Sequence, residues 1–379
     1  MFETSGASPV NFGLAHEAKV LLRCMSMMAG LGAALLITRV LFRGLIGHSA
    51  PLGPACPGLG DAGIFVNLSR GLPRRLDDAP FLPFYPFLIR LLAPVCVGNA
   101  VVAAIAINCV ATTLGLWALT RLAESCQGGG AAGRLAAWYA LVSPVSFFFL
   151  IGYSEGLFFG LSALCLLWAS RSCCTAAGVG GALAAITRIW GIFLFPAMLI
   201  GCCQSRVGTP RPWRWRCAAA AMMAPAAWVA CILLVGHQSG NLLCVLTVEH
   251  VRFRRSLGLP MMGAGLALWA CFAGDFVLAA LNIDKLLYAY GWLFVMWHGY
   301  KRLPPPLFAY LASGGLLLCL TGPYPVPWWS LDRFLLVLFP AYIVLGQMPW
   351  RPAVHRALLV LSFTFMLVQW AIFVNGYVG

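Results

Sequence analysis

An aspartate set between glycines, Gly60-Asp61-Ala62-Gly63, is the first group in the chain with the makings of a catalyst. It is the only carboxylate in the polar stretch 47–80 apart from the Asp77-Asp78 pair. A carboxylate placed there can take a proton from a hydroxyl held within hydrogen-bond reach. The alternative is a solvated turn residue. Arg188 ends an apolar run and Arg333 follows Asp332 at the start of another. Ionisable groups near a membrane are costly enough to suggest function, although a long side chain can also snorkel to the interface. Such arginines can grip an anionic oxygen in charge-assisted, two-pronged hydrogen bonds. Arg333 is awkwardly placed to pair with its neighbour Asp332 and so needs another partner. Glu155 opens an apolar helix, as a site residue or as a complement to the helix dipole. Asp78 is a ligand contact or, with Asp77, a helix cap or a solvated loop residue. Tyr85, fixed between Pro83 and Pro86, is a ligand contact or an interfacial anchor. His250, with Glu249 and Arg252, belongs to a binding loop or to an amphipathic surface helix.

The elements that must position these residues are membrane spans. Of 379 residues, 61% are hydrophobic and 9% charged, against roughly 25% charged in a soluble domain. Mean hydropathy is +0.87. At roughly 20 residues per crossing, the apolar runs accommodate about ten to twelve spans in a single all-α polytopic bundle covering 1–379. They fall near 20–46, 99–119, 135–150, 156–170, 176–200 (a short hairpin), 218–235, 261–281, 286–297, 307–320, 334–345 and 357–374. The first is too long for a cleaved signal sequence and reads as an uncleaved span. The fifteen cysteines form no C-x-x-C pair, and histidine is sparse, so no metal site and no cofactor are expected. The net charge of +14 comes mostly from arginine. It reflects basic loops and contacts with lipid head groups, with no basic, aromatic-interleaved tail to suggest nucleic acid.

Orientation follows from the short basic segments at 121–134, 171–174, 204–216, 298–302 and 350–356, which belong in the cytoplasm. The segments 47–80, 153–155, 237–259 and 322–332 then face the exoplasmic side, with 47–97 forming a first loop and juxtamembrane segment. Parity requires that either 261–281 or 286–297 fail to cross. Arg252, Arg254 and Arg255 lie on the wrong side for the charge rule, which suggests an anionic ligand.

Gly60-Asp61 together with Phe81-Leu82-Pro83-Phe84-Tyr85-Pro86-Phe87-Leu88-Ile89-Arg90 resembles the GPI mannosyltransferase 2 (PIG-V-like) family of the GT-C membrane glycosyltransferases. Three further stretches resemble its motifs in the same order. They are Ser143-Pro144 leading to Tyr153-Ser154-Glu155, Ala184-Ala185-Ile186-Thr187-Arg188 with Gly191, and Asp332-Arg333-Phe334 through Phe339-Pro340. The chain departs from the family at Gly60, where Trp is usual, and at Gly240-Asn241-Leu242, where the family has G-D-P. The resemblance implies an inverting hexosyltransferase that moves mannose from a polyprenyl-phosphate donor to a lipid-linked or glycan acceptor on the exoplasmic side. It implies Asp61 as base, with Arg188 and Arg333 on the phosphate. The membrane would be the inner membrane of a bacterium or the endoplasmic reticulum of a eukaryote. A secondary transporter or flippase is the rival from another class, although no internal repeat is evident.

Overall fold

A computed structural model describes residues 14–46, 60–71, 76–126, 129–204, 211–251, 254–259, 261–273, 276–322 and 326–374. Residues 47–59 and 72–75 of the first loop, and Arg252, lie outside the described residues. The fold is an all-α bundle. In chain order its helices are α1 (Leu14–Ile46), α2 (Asp61–Ser69), α3 (Phe84–Leu92), α4 (Ala100–Ser125), α5 (Gly129–Leu141) and α6 (Glu155–Ser170). There follow α7 (Cys174–Ala185), α8 (Leu194–Gln204), α9 (Arg211–Gln238), α10 (Cys244–Val251), α11 (Met262–Ala273) and α12 (Phe276–Arg302). The last are α13 (Pro305–Ser313), α14 (Gly315–Leu318), α15 (Leu331–Leu336), α16 (Pro340–Gly346) and α17 (Pro352–Val374). One antiparallel two-residue ladder pairs Ser256 with Thr321 and Leu257 with Leu320.

Among the described residues, α1, α4, α9 and α17 are long and apolar enough to cross a bilayer unaided. The bundle is a membrane protein, and several apolar runs are broken helices. The run at 135–150 ends as a helix at Leu141 and continues as a 3-10 turn at Ser146–Phe149, because Pro144 interrupts the ladder. The run at 334–345 divides into α15 and α16, and 176–200 into α7, a 3-10 turn at Ile189–Phe193, and α8. Broken backbone is tolerated at membrane depth where protein surrounds it. Of the two runs in the parity conflict, 261–281 contains α11 and the start of α12, and 286–297 lies within α12. The 12 residues of α11 extend about 18 Å, against a hydrocarbon core of about 30 Å. The 27-residue α12 is long enough to cross.

Small residues bring the central helices close. A Cβ on Gly160 would stand 2.3 Å from the Ala111 carbonyl oxygen, and one on Gly156 2.7 Å from that of Phe149. The α4–α6 contact therefore depends on glycine, as close helix approach in membranes often does. The bundle has two distinct ends. At one, Arg121 pairs with Glu17 at 2.8 Å and with Glu124, beside Arg171. At the other lie the N-termini of α2 and α6 and the turn after α7.

Candidate active site

Each functional side chain arrives where a helix begins or breaks. Asp61 is the first residue of α2, and its backbone N–H donates to the Tyr153 hydroxyl at 3.2 Å. Gly60 before it has φ +57°, and a Cβ there would stand 2.2 Å from the Tyr153 oxygen. Only glycine fits there. Burial pushes the Tyr153 phenol well up from its ordinary value, against the lowering pull of Arg333, so it stays protonated. Arg188 sits in extended backbone after α7. The turn exists because Gly191 folds back onto Ala185, where a Cβ would meet the Ala185 Cα at 2.4 Å.

These residues converge. Glu155 is fully buried, and its Oε1 accepts from Arg188 at 2.8 Å and from Arg333 Nε at 2.9 Å. Arg333 also donates through Nη2 to Asp61 Oδ2 at 2.6 Å. Arg188 donates in addition to the Ser154 hydroxyl at 3.0 Å. The Arg333 guanidinium lies 4.9 Å from the Phe148 ring centroid and 4.7 Å from that of Tyr153, two rings that also pack on each other at 4.9 Å. Asp61 is a quarter exposed, and among the described residues its Oδ1 takes no hydrogen bond. It borders a cavity of about 140 Å³ that is also lined by Arg188, Arg333, Arg255, Glu249 and Trp190. Arg255 pairs with Glu249 at 2.6 Å and lies 4.9 Å over the Phe334 ring. The short ladder beginning at Ser256 holds this segment in place.

Three candidates fall elsewhere. Tyr85 is wholly buried, donates to the Ala104 carbonyl at 3.3 Å and packs edge-on to Phe65 at 5.0 Å. It supports a cavity-lining ring and does not reach the cavity, because the helix that begins at Phe84 turns it into the protein. Asp78 ends a 3-10 turn and its carbonyl accepts from Phe81, and Pro80 and Phe81, not Asp78, border the cavity. His250 is exposed, its Nδ1 3.3 Å from the Arg255 carbonyl oxygen, while its neighbour Glu249 faces the cavity.

Two features were not read from the sequence. Lys285, in mid-α12, donates to Asp284 at 2.9 Å and to Asp332 at 2.7 Å, with all three buried. This bridge ties α12 to α15 one residue from Arg333. A carboxylate and a lysine adjacent in an apolar stretch were the available signal. The second is an apolar groove of about 700 Å³ between α1, α4 and α17. Along α1 it runs from Leu21 to Arg39, and it also touches Ala62 and Tyr153, which flank the Asp61 site. Nothing in an apolar helix sequence marks a groove.

No protein-family model matches the chain, and no curated protein matches its sequence. Among solved structures, the fold is similar to ArnT from Cupriavidus metallidurans bound to undecaprenyl phosphate. The TM-score is 0.48 at 13% identity, over 90% of this chain and 74% of that one. It is also similar to the archaeal oligosaccharyltransferase AglB from Archaeoglobus fulgidus, in complex with an inhibitory peptide and a dolichol-phosphate. There the TM-score is 0.49 at 13% identity, over 92% of this chain and 56% of that one.

Proposed function

We propose that the chain is an inverting membrane glycosyltransferase that moves mannose from a polyprenyl-phosphate donor to a lipid-linked or glycan acceptor. The observation that carries this reading is a carboxylate at the edge of an arginine-rich cavity, one oxygen fixed by Arg333 and the other without a hydrogen bond among the described residues. In the reaction, Asp61 Oδ1 accepts the proton of the acceptor hydroxyl as that oxygen bonds to the sugar's anomeric carbon. The bond from that carbon to the phosphate oxygen breaks on the opposite face, and the polyprenyl phosphate leaves with the electron pair. A single displacement inverts the centre. The leaving phosphate is already a weak base, so cations suffice and no acid is needed. Arg188, Arg333 and Arg255 are the cations at hand.

The groove supports a lipid-borne substrate. From Leu21 to Arg39 it follows α1 for 18 residues, about 27 Å at 1.5 Å each, close to the depth of the hydrocarbon core. One cation, Arg39, stands toward the end where Ala62 and Tyr153 lead to Asp61. The motif resemblance supplies the sugar.

The reading is tested with purified protein in proteoliposomes, radiolabelled polyprenyl-phosphate mannose and a membrane extract as acceptor source. Label passing into a new product supports it. Donor that stays chemically intact, or that crosses the bilayer unchanged, contradicts it.

A further inference from the structure

A second cavity, of about 540 Å³, opens at the opposite, basic end of the bundle. Beside it α16 ends in close contact with α5, where a Cβ on Gly346 would stand 2.7 Å from the Ala132 carbonyl oxygen. The chain peels away through Gln347–Arg351 before α17 begins, leaving a gap between α5, the end of α12 and the start of α17. Its wall is fixed. His355 is buried, with Nδ1 2.8 Å from the Tyr139 hydroxyl and Nε2 3.2 Å from the Met348 carbonyl oxygen.

Arg302 and Arg356 line this cavity, and among the described residues no carboxylate does. The N-terminus of the 23-residue α17 adds the positive end of its dipole. The lower wall is apolar, formed by Leu135, Leu359 and Trp350. One turn further along the same face of α17, Phe363 continues the apolar surface. Two cations above an apolar track fit a phosphate attached to an acyl chain better than a free phosphate. Basic pockets between membrane helices recognise anionic lipid head groups in this way.

We infer that this cavity is a binding site for the head group of an anionic phospholipid, its phosphate held between Arg302 and Arg356 and one acyl chain lying along α17. The site is separate from the Asp61 cavity and does not depend on the proposed transferase activity. Native mass spectrometry of the purified chain, released from mixed phosphatidylglycerol and phosphatidylcholine micelles, provides the test. Phosphatidylglycerol should be retained preferentially. The Arg302→Gln, Arg356→Gln double variant should lose roughly 30-fold of that preference, as two arginines near a lipid head group supply. The Lys301→Gln, Arg351→Gln variant removes the same charge from the same end, at positions that do not line the cavity. It should keep the preference, and circular dichroism confirms that both variants are folded. Equal retention of the two lipids overturns the proposal, as does equal loss in both double variants. Inorganic phosphate at 10 mM, used as the soluble probe (about the level that a weak millimolar site would need), should not displace the lipid. Displacement would assign the cavity to a soluble anion instead.

Discussion

At the scale of single residues, the site depends on where a carboxylate and two guanidinium groups are held. Glu155 is a buried acceptor shared by Arg188 and Arg333, so the pair keeps its geometry without a ligand. Removing one partner of a buried charge pair is costly because the other is left uncompensated. Arg333→Lys keeps the charge but cannot span Asp61 and Glu155 as a planar fork does. Its kcat/KM should fall roughly tenfold and that of Arg333→Ala roughly 100-fold, as for loss of one charge-stabilising donor. Steady-state kinetics checks both, and full activity in Arg333→Ala removes the residue from the mechanism. Gly60 yields a sharper test of placement. Gly60→Ala and Gly71→Ala both put a side chain at positive φ, at a cost of order 1–3 kcal/mol each. At Gly71 the new Cβ meets only the end of Arg90, at 3.9 Å, whereas at Gly60 it collides with the Tyr153 hydroxyl. Both variants should melt lower, but only Gly60→Ala should lose activity, because only it displaces Asp61. Comparable activity in the two would separate Gly60 from the placement of Asp61.

At the scale of elements, helix starts and breaks deliver the polar groups, and the groove is the proposed path of the lipid. On α1, Gly32 lines the groove and Gly30 does not, and at both a new Cβ meets nothing within 4 Å. Gly32→Phe should therefore obstruct the groove without disturbing the bundle. The KM for a polyprenyl-phosphate donor should rise roughly tenfold, the loss of about two buried methylenes, while Gly30→Phe leaves it unchanged. Equal KM values in the two variants would assign the donor chain to another path. Much of this scale was legible in the sequence. Apolar runs mark the helices in order, and Asp61, Glu155, Arg188 and Arg333 stand out as charges at their ends. The breaks within the runs at 135–150 and 334–345 are marked by Pro144 and Pro340, but how the bundle accommodates them was not legible. A backbone interruption at membrane depth depends on which neighbours surround it, and hydropathy along one segment does not contain that. Tyr85 misleads for a related reason: its two flanking prolines announce rigidity but not which way the ring turns.

At the scale of the whole molecule, the charges divide into two sets at opposite ends of one bundle. One end carries the basic cavity at Arg302 and Arg356, and the other the carboxylate–arginine cluster. The cluster brings together residues up to 272 positions apart, a convergence that no local motif reveals. With Arg188, Arg333 and Arg255 at the cavity as the proposed cations for the leaving phosphate, the proposed reaction needs no divalent metal. Transfer in excess EDTA should equal transfer with added Mg²⁺ or Mn²⁺. Activity abolished by chelation and restored by one metal would make Asp61 a metal ligand before a base. The central claim, that Asp61 takes the acceptor's proton, is tested most directly by single-turnover transfer from radiolabelled polyprenyl-phosphate mannose with wild type and Asp61→Asn. The substitution keeps the shape and removes the basicity, so the rate should fall roughly 100-fold or more while donor binding is retained. An undiminished rate in Asp61→Asn would contradict the account.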